Sequence, residues 1–156
     1  MIRNASIRSI LLRGPAFALW LYQDGTRSYS DVDLLVAPED FERAERVLSE
    51  LGFARSAIPP PAGHAQLLSR SRDSAAVDLH RAIVGIGVPE NEAWSVLAAC
   101  TEAIPVGGAD VDVLRPHARA MVVVLHAAQH GVGKPKPLED LSRVLGKFTK
   151  ADWRAT

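Results

Sequence analysis

Two acidic residues open the most apolar short run in the first half of the chain, in the segment 30–36, S-D-V-D-L-L-V. A run of this length, rich in Val and Leu, predicts a buried strand over residues 32–36. Because side chains alternate along a strand, Asp31 and Asp33 are expected on one face, about two residue rises apart. Two carboxylates so placed repel each other, and a hard divalent cation between them would remove that repulsion.

The remaining hydrophobic pattern alternates short apolar runs with helical periodicity. Further strands are expected at residues 7–12, 64–69 and 75–80, with a hairpin at 103–106 and 111–114. Helices are expected at 16–22, 38–51, 90–102, 121–130 and 137–146, with another beginning at Thr149. The three prolines within 58–63 predict an irregular, stiff loop.

This order predicts an α/β (α+β) fold, a small mixed sheet flanked by helices with a C-terminal helical annex. We place a core domain at residues 1–85 and a hairpin and helical annex, packed on that core, at 86–156. The chain ends soon after a helix begins, so we expect either that this helix is vestigial or that the chain has been cut from something longer.

Composition excludes several classes of protein. The 156 residues carry 18 Lys+Arg and 18 Asp+Glu, a balance that argues against a chain wrapped on nucleic acid. The single cysteine, Cys100, favours a reducing compartment and is expected to be a small buried side chain. The sequence shows neither a signal peptide nor the ~20 apolar residues of a membrane span. We therefore expect a soluble, cytoplasmic protein without a membrane partner.

A D-x-D pair alone has little specificity, since chance supplies about 0.6 such pairs in a chain of this composition. A second pair, Asp110 and Asp112, follows a Gly-Gly turn and is expected on the wet face of a hairpin. A third acid, Asp78, lies between Val77 and Leu79 in another apolar strand. Three acids from two neighbouring strands could converge on one or two metal ions, as two-metal phosphoryl transfer requires.

Several segments together resemble a known family. They are L-L-R-G at 11–14, Arg27, Y-S-D-V-D-L-L-V at 29–36 and V-D-L-H at 77–80, with weaker similarity at 125–126, His130, 138–141 and 152–153. These residues resemble the uncharacterised nucleotidyltransferase family of the polymerase-β-like superfamily. The resemblance implies a mixed sheet with metal-binding carboxylates on adjacent strands.

The resemblance also implies an activity, the Mg²⁺-dependent transfer of an NMP group from an NTP such as ATP to a hydroxyl acceptor. Two Mg²⁺ ions, or Mn²⁺ in their place, would be involved. Asp31 and Asp33 would hold the nucleotide-bound ion, while Asp78 would help bind the second and activate the acceptor hydroxyl. The acceptor could be a small molecule, a protein or an RNA, and the oligomeric state is open.

Four further residues are candidates for nucleotide binding. Gly14, at a strand-to-helix turn, would let the backbone approach the triphosphate, and a helix N-terminus suits an anion. Arg13, Arg27 and Ser30 are candidate phosphate contacts, although each could equally be an ordinary surface group. Pro15 departs from the superfamily pattern of Gly followed by Gly or Ser, and it supplies neither an N–H nor a hydroxyl.

Two other interpretations remain open at this point. One is a non-catalytic module that keeps the fold and binds a nucleotide or a protein. The other is a toxin- or antitoxin-type transferase acting on tRNA or protein.

The pair His126 and His130 has the spacing of a zinc-binding helix, but it lacks the general-base Glu and is expected to be packing. All four lysines lie in residues 134–150, and the simplest interpretation is that they belong to a solvent-exposed face.

Overall fold

Short apolar runs separated by turn residues form the strands of one sheet in the computed structural model, which describes residues 2–22, 26–56 and 63–155. The described strands β1 to β7 are Ser9–Leu11, Val32–Val36, Ala54–Arg55, Ala65–Arg70, Ala75–His80, Thr101–Val106 and Ala109–Leu114. The described helices α1 to α6 are Pro15–Leu21, Phe41–Glu50, Glu90–Ala99, Pro116–His130, Pro135–Lys147 and Lys150–Ala155. Three-residue 3₁₀ turns are described at Arg3–Ala5, Pro38–Asp40 and Gly131–Gly133.

The sheet has the order β3-β4-β5-β2-β1-β7-β6 and is mixed. At its centre β2 pairs with β5 in parallel, with Asp33 and Asp78 as register partners. On the other side β2 pairs with β1 in antiparallel fashion, and β1 pairs with β7 in parallel through Leu11 and Val113. The two acidic strands are therefore adjacent in the middle of the sheet, where both faces are covered.

Helices cover both faces of the sheet. The neighbouring residues Leu35 and Val36 belong to different hydrophobic clusters, as the alternation of side chains along β2 requires. Val36 packs with Ala44 and Leu48 of α2, whereas Leu35 packs in a cluster with residues of α1, α3, α4 and α5. Asp33 lies two residues before Leu35 on β2, so the two side chains share a face of the sheet. The Asp33 carboxylate therefore lies on the side covered by α1, α4 and α5.

The ends of two helices follow from local chemistry. Gly52 takes a φ of 88° directly after α2, a left-handed conformation that stops a helix at little cost in glycine. At the start of α6, the amide of Thr149 donates to the Asp152 carboxylate at 2.7 Å and the amide of Asp152 donates to the Thr149 hydroxyl at 3.3 Å. This is a reciprocal capping arrangement, and it confirms the helix start expected there.

The predicted fold class is confirmed, with corrections at particular elements. Helix α3 ends at Ala99, so residues 101 and 102, expected as helix, belong to β6 instead. The short strand β3, which pairs with β4, was not expected. The proline-rich loop expected at 58–63 lies outside the described residues except for Gly63, as does most of the break expected after α1.

The domain division at residue 85 stays a prediction, and the sheet runs across that boundary. The hairpin of β6 and β7, expected in the annex, joins the core sheet beside β1. Helices α4 and α5 follow this hairpin in the chain and pack against the face of the sheet that carries Asp33. Among residues 2–22, 26–56 and 63–155, no helix has the length and hydropathy needed to cross a bilayer.

Candidate active site

The paired strands β2 and β5 place two carboxylates side by side. Asp33 and Asp78 are register partners in the parallel ladder, and both point to the face covered by α1, α4 and α5. The side chain of Asp33 is 6% exposed and that of Asp78 is 24% exposed. Two carboxylates in a partly desolvated place need compensating positive charge.

Arg13 and His80 supply that compensation. Nε2 of His80 lies 3.2 Å from Oδ1 of Asp33 and 3.2 Å from Oδ2 of Asp78. The guanidinium of Arg13 hydrogen-bonds to Asp33 Oδ1 and lies 4.0 Å from Asp78 Oδ2. His80 reaches Asp78 because residues two apart on a strand share a face. Both acids are thus joined through one imidazole and one guanidinium.

The protonation of the cluster follows from these contacts. Burial alone would raise the pKa of the Asp33 carboxyl, but the hydrogen bond from His80 and the charge of Arg13 outweigh it and hold that pKa below its ordinary value. Burial alone would lower the pKa of His80, but its hydrogen bonds to Asp33 and Asp78 raise it above the ordinary value. The arrangement therefore favours an ionised Asp33 beside a protonated imidazole.

The acids open onto a polar cavity of about 290 Å³. Its lining includes Asp31, Asp33 and Asp78, together with Arg13 and Lys136. Gly14, Arg27, Tyr29, His126 and His130 complete it. Acids and cations thus face the same space, a combination suited to a metal-bound polyphosphate.

Gly14 is required at the turn between β1 and α1. Its φ is 61° and its ψ is −117°, and a Cβ there would stand 3.0 Å from the carbonyl oxygen of Asp31. Only glycine allows this close approach of the two backbones. The turn itself offers few donors to a phosphate, since Pro15 has no N–H and the amide of Ala16 donates to the carbonyl of Arg13 at 3.3 Å.

Arg27 lines the cavity, but its guanidinium is held by α5. The guanidinium is buried and makes two hydrogen bonds to Asp140 of α5, at 2.9 Å and 2.8 Å. Tyr22 also donates to Asp140, at 2.9 Å. A role for Arg27 in phosphate contact stays a prediction. What the structure shows is a buried ion pair between α5 and the segment that leads into β2.

The structure gathers most of the expected site residues around one cavity. Asp31, Asp33, Asp78, Arg13, Gly14 and Arg27 line it. Asp31 lines the cavity without joining the tight cluster formed by the other two acids. Ser30 is exposed and is outside the cavity lining among the described residues.

Three residues that line the cavity were not expected there from the sequence. Lys136, interpreted as part of a solvated tail, lines the cavity and donates to the carbonyl of Ser28. His126 and His130, interpreted as packing residues, also line it, with ring centroids 4.7 Å apart. The signal available for the two histidines was their spacing, which places both on one face of α4. No comparable signal pointed to Lys136, because its position depends on how α5 docks.

The donor set fits a divalent cation. One carboxylate oxygen each from Asp33 and Asp78 and one ring nitrogen of His80 lie within 4.8 Å of one another. Carboxylate oxygen is the ligand that Mg²⁺ and Mn²⁺ prefer, whereas a protonated His80 imidazole has no free lone pair and would have to lose a proton before it could bind a metal. Among the described residues, this is the one group of three or more acids, histidines or cysteines so disposed, and the pair on α4 forms no such group.

A mixed sheet with adjacent acidic strands and helices on both faces defines a nucleotidyltransferase-like fold. A family model described as uncharacterised nucleotidyltransferase matches residues 1–156, and the chain belongs to that family. The prediction of a nucleotidyltransferase is thereby confirmed at the level of the family. No curated protein matches the chain.

Solved structures share the fold at low sequence identity. The antibiotic-resistance factor ANT(2'')-Ia superposes with a TM-score of 0.67 at 14% identity, covering 97% of this chain and 80% of that chain. LnuA, a lincosamide antibiotic adenylyltransferase seen with lincomycin bound, gives 0.60 at 9% identity, covering 92% and 89%. TM1012 from Thermotoga maritima gives 0.56 at 18% identity, covering 94% and 87%. At these identities the likeness establishes the fold alone.

Proposed function

We propose that this protein transfers an NMP group from an NTP to a hydroxyl acceptor with the help of Mg²⁺. The observation that carries the proposal is the register pairing of Asp33 with Asp78 at a cavity that also holds cationic side chains. Carboxylates for a metal and cations for phosphates are the two needs of phosphoryl transfer, where positioning and electrostatic stabilisation supply most of the catalysis.

Each side chain has a role in this proposal. Asp33 and Asp78 would hold the cation, and Asp31, which also lines the cavity, would contribute to the nucleotide-bound ion. A bound divalent cation would neutralise charge on the phosphates and on the leaving pyrophosphate. Lys136 and Arg13 would contact phosphate oxygens, a task made more important by the few amide donors at Pro15. His80 would orient Asp78 through its hydrogen bond.

Arg13 occupies a position that bears on nucleotide entry. Its guanidinium contacts Asp33 and lies near Asp78, so it neutralises the acids in the structure described here. Phosphate oxygens form strong charge-assisted contacts with a guanidinium. We therefore expect the phosphates of a bound NTP to replace the two carboxylates as the contacts of Arg13. Asp33 and Asp78 would then bind the metal.

The nucleotide is proposed to be ATP and the acceptor a small hydroxyl-bearing molecule. Support comes from the solved neighbours, since one crystal structure of ANT(2'')-Ia holds adenylyl-2''-tobramycin and LnuA is an adenylyltransferase. A protein or RNA acceptor stays open as an outcome of the experiment below.

The test is transfer of label from each of four α-³²P-labelled NTPs in the presence of Mg²⁺ and pooled alcohols, proteins or tRNA. We expect labelled product with ATP, and Asp33→Asn should lower its rate by at least about 100-fold, the scale of losing one transition-state-stabilising group. Asp110→Asn is the matched control, because Asp110 belongs to the other D-x-D pair and is exposed. Equal rates in the Asp33→Asn and Asp110→Asn variants would refute the assignment.

A further inference from the structure

A second cavity, of about 200 Å³, shares Asp78 with the polar cavity. Its apolar wall is formed by aliphatic side chains from the end of β1, the segment after β5 and helix α4, among them Ile83, Val84, Val122 and Leu125. Its polar groups come from His64, His80, His126, Gln129 and His130, together with Asp78 and Arg13. We call this cavity the apolar pocket after its aliphatic wall, and an apolar wall facing converging polar side chains is the usual character of a small-molecule site.

The two cavities meet at the candidate catalytic acid. Arg13, Asp78, His126 and His130 line both of them. A nucleotide held in the polar cavity and a molecule in the apolar pocket would thus both lie beside Asp78. Transfer between two substrates needs this juxtaposition, because the reacting atoms must lie about 3–3.5 Å apart before reaction.

The charge of the apolar pocket limits what it can hold. Among its lining residues the one carboxylate is Asp78, and the Arg13 guanidinium and the His80 imidazole both lie beside it. Burial, with the nearby charges of Arg13 and His130, lowers the pKa of His126 to about 4, so that imidazole is neutral at pH 7. A ligand with several positive charges would find no acidic wall to bind it, and desolvating those charges would be costly.

Two imidazoles of the pocket carry an unsatisfied atom. Nδ1 of His64 and Nδ1 of His126 are buried and have no hydrogen-bond partner among the described residues. A buried polar atom without a partner costs about 1–3 kcal/mol, and native proteins rarely carry such a cost without a reason. Both histidines line the same pocket, so both of these imidazoles belong to its wall.

We propose that the apolar pocket binds the acceptor, and that the acceptor is a small uncharged alcohol with an apolar body. This inference rests on the proposed function and narrows its acceptor. In the reaction, the alcohol oxygen forms a bond to the α-phosphorus as the bond from that phosphorus to the β-bridging oxygen breaks. The electron pair leaves with pyrophosphate, and the hydroxyl proton passes to the Asp78 carboxylate.

The pocket can be blocked from its rim without disturbing the acids. Val84 lines the pocket from a turn and is 36% exposed, so Val84→Trp would fill the space at small cost to folding. Val88→Trp is the matched control, since Val88 lies on the same segment, is 50% exposed and is outside the pocket lining among the described residues.

The experiment follows NMR chemical shifts of the full chain during titration with cyclohexanol and with the dication of 1,3-diaminopropan-2-ol. Cyclohexanol should saturate with a dissociation constant of about 1 mM, reasonable for seven heavy atoms. Val84→Trp should weaken its binding at least tenfold, Val88→Trp should leave it within twofold, and the diamine should bind more weakly than cyclohexanol.

Parallel titrations with ATP and Mg²⁺ separate this inference from the proposed function. No saturable binding of cyclohexanol, equal effects of the two tryptophan variants, or tighter binding of the diamine would overturn the acceptor assignment, whatever ATP does. Failure of ATP to bind while cyclohexanol saturates in the Val84-sensitive way would count against the proposed function, and the pocket would then be an alcohol-binding site without a role as acceptor site.

Discussion

Gly14 shows at the scale of one residue how the backbone positions the acids. Its missing side chain lets the carbonyl of Asp31 approach the turn that precedes α1, and this contact joins β1 to the start of β2. Its φ of 61° with a ψ of −117° is a conformation that other residues adopt only with strain. The same residue that was expected to admit a triphosphate thus also sets the position of Asp31.

Gly14→Ala should therefore destabilise the protein by about 3 kcal/mol, from backbone strain and the collision with Asp31. Gly107→Ala is the control: Gly107 has a similar φ of 58°, but a Cβ there meets nothing within 4 Å, so the cost should be about 1 kcal/mol. Urea unfolding measures both. Equal losses of stability in the two variants would show that the contact with Asp31 contributes nothing.

The acids themselves could be predicted from the sequence, whereas their partners could not. Asp31, Asp33 and Asp78 stood out because each interrupts or opens an apolar strand, where a charged residue needs a reason. The pairing of Arg13 with Asp33 depends on the register of β1 against β2, and no local pattern encodes that register. His80 belongs to the segment 77–80 that carries the family resemblance, but its contact with Asp33 depends on the parallel pairing of β2 with β5.

At the scale of the elements, a buried ion pair fastens α5 to the site. Asp140 is fully buried and accepts hydrogen bonds from Arg27 and Tyr22, while Lys136 at the start of the same helix donates to Ser28. These contacts hold the segment leading into β2 against α5. The position of Asp31 is therefore set from two sides, by Gly14 and by α5.

Removing Asp140 should be costly, because Asp140→Ala leaves the Arg27 guanidinium buried without its partner. We expect a loss of about 3–5 kcal/mol in the free energy of unfolding. Glu139→Ala is the matched control on the same helix: Glu139 is exposed and pairs with Arg143 one turn away, so its loss should cost no more than about 0.5 kcal/mol. Chemical denaturation compares the two, and similar losses would show that the buried pair does not fasten α5.

Element boundaries were predicted where the sequence carries a distinct signal. Strand β2 was predicted with its observed bounds because it lies between polar residues and Pro38. The end of α3 was placed too late, since residues 101–102 have no breaker before them and are drawn into β6 by pairing with β7. Strand β3 is two exposed residues held by β4, so it has no hydrophobic signature of its own.

At the scale of the whole molecule, the sheet brings together residues from three distant parts of the chain. The segment 11–33 supplies the turn and the first acids, β5 supplies Asp78 and His80, and α4 and α5 supply His126, His130 and Lys136. The sequence predicted the first two contributions, through acids on strands. The contribution of α4 and α5 could not be predicted, because it depends on how these helices pack across the sheet. That packing follows from the parallel pairing of β7 with β1.

The central claim is that Asp33 and Asp78 hold a divalent cation for nucleotide transfer. The most direct measurement is a titration of Mn²⁺, followed by the loss of free Mn²⁺ signal in electron paramagnetic resonance, with a non-hydrolysable ATP analogue present. The account predicts saturable binding by the wild type and by Asp110→Asn, and binding at least about tenfold weaker in Asp33→Asn and Asp78→Asn. Unchanged Mn²⁺ affinity in Asp33→Asn and Asp78→Asn would contradict it.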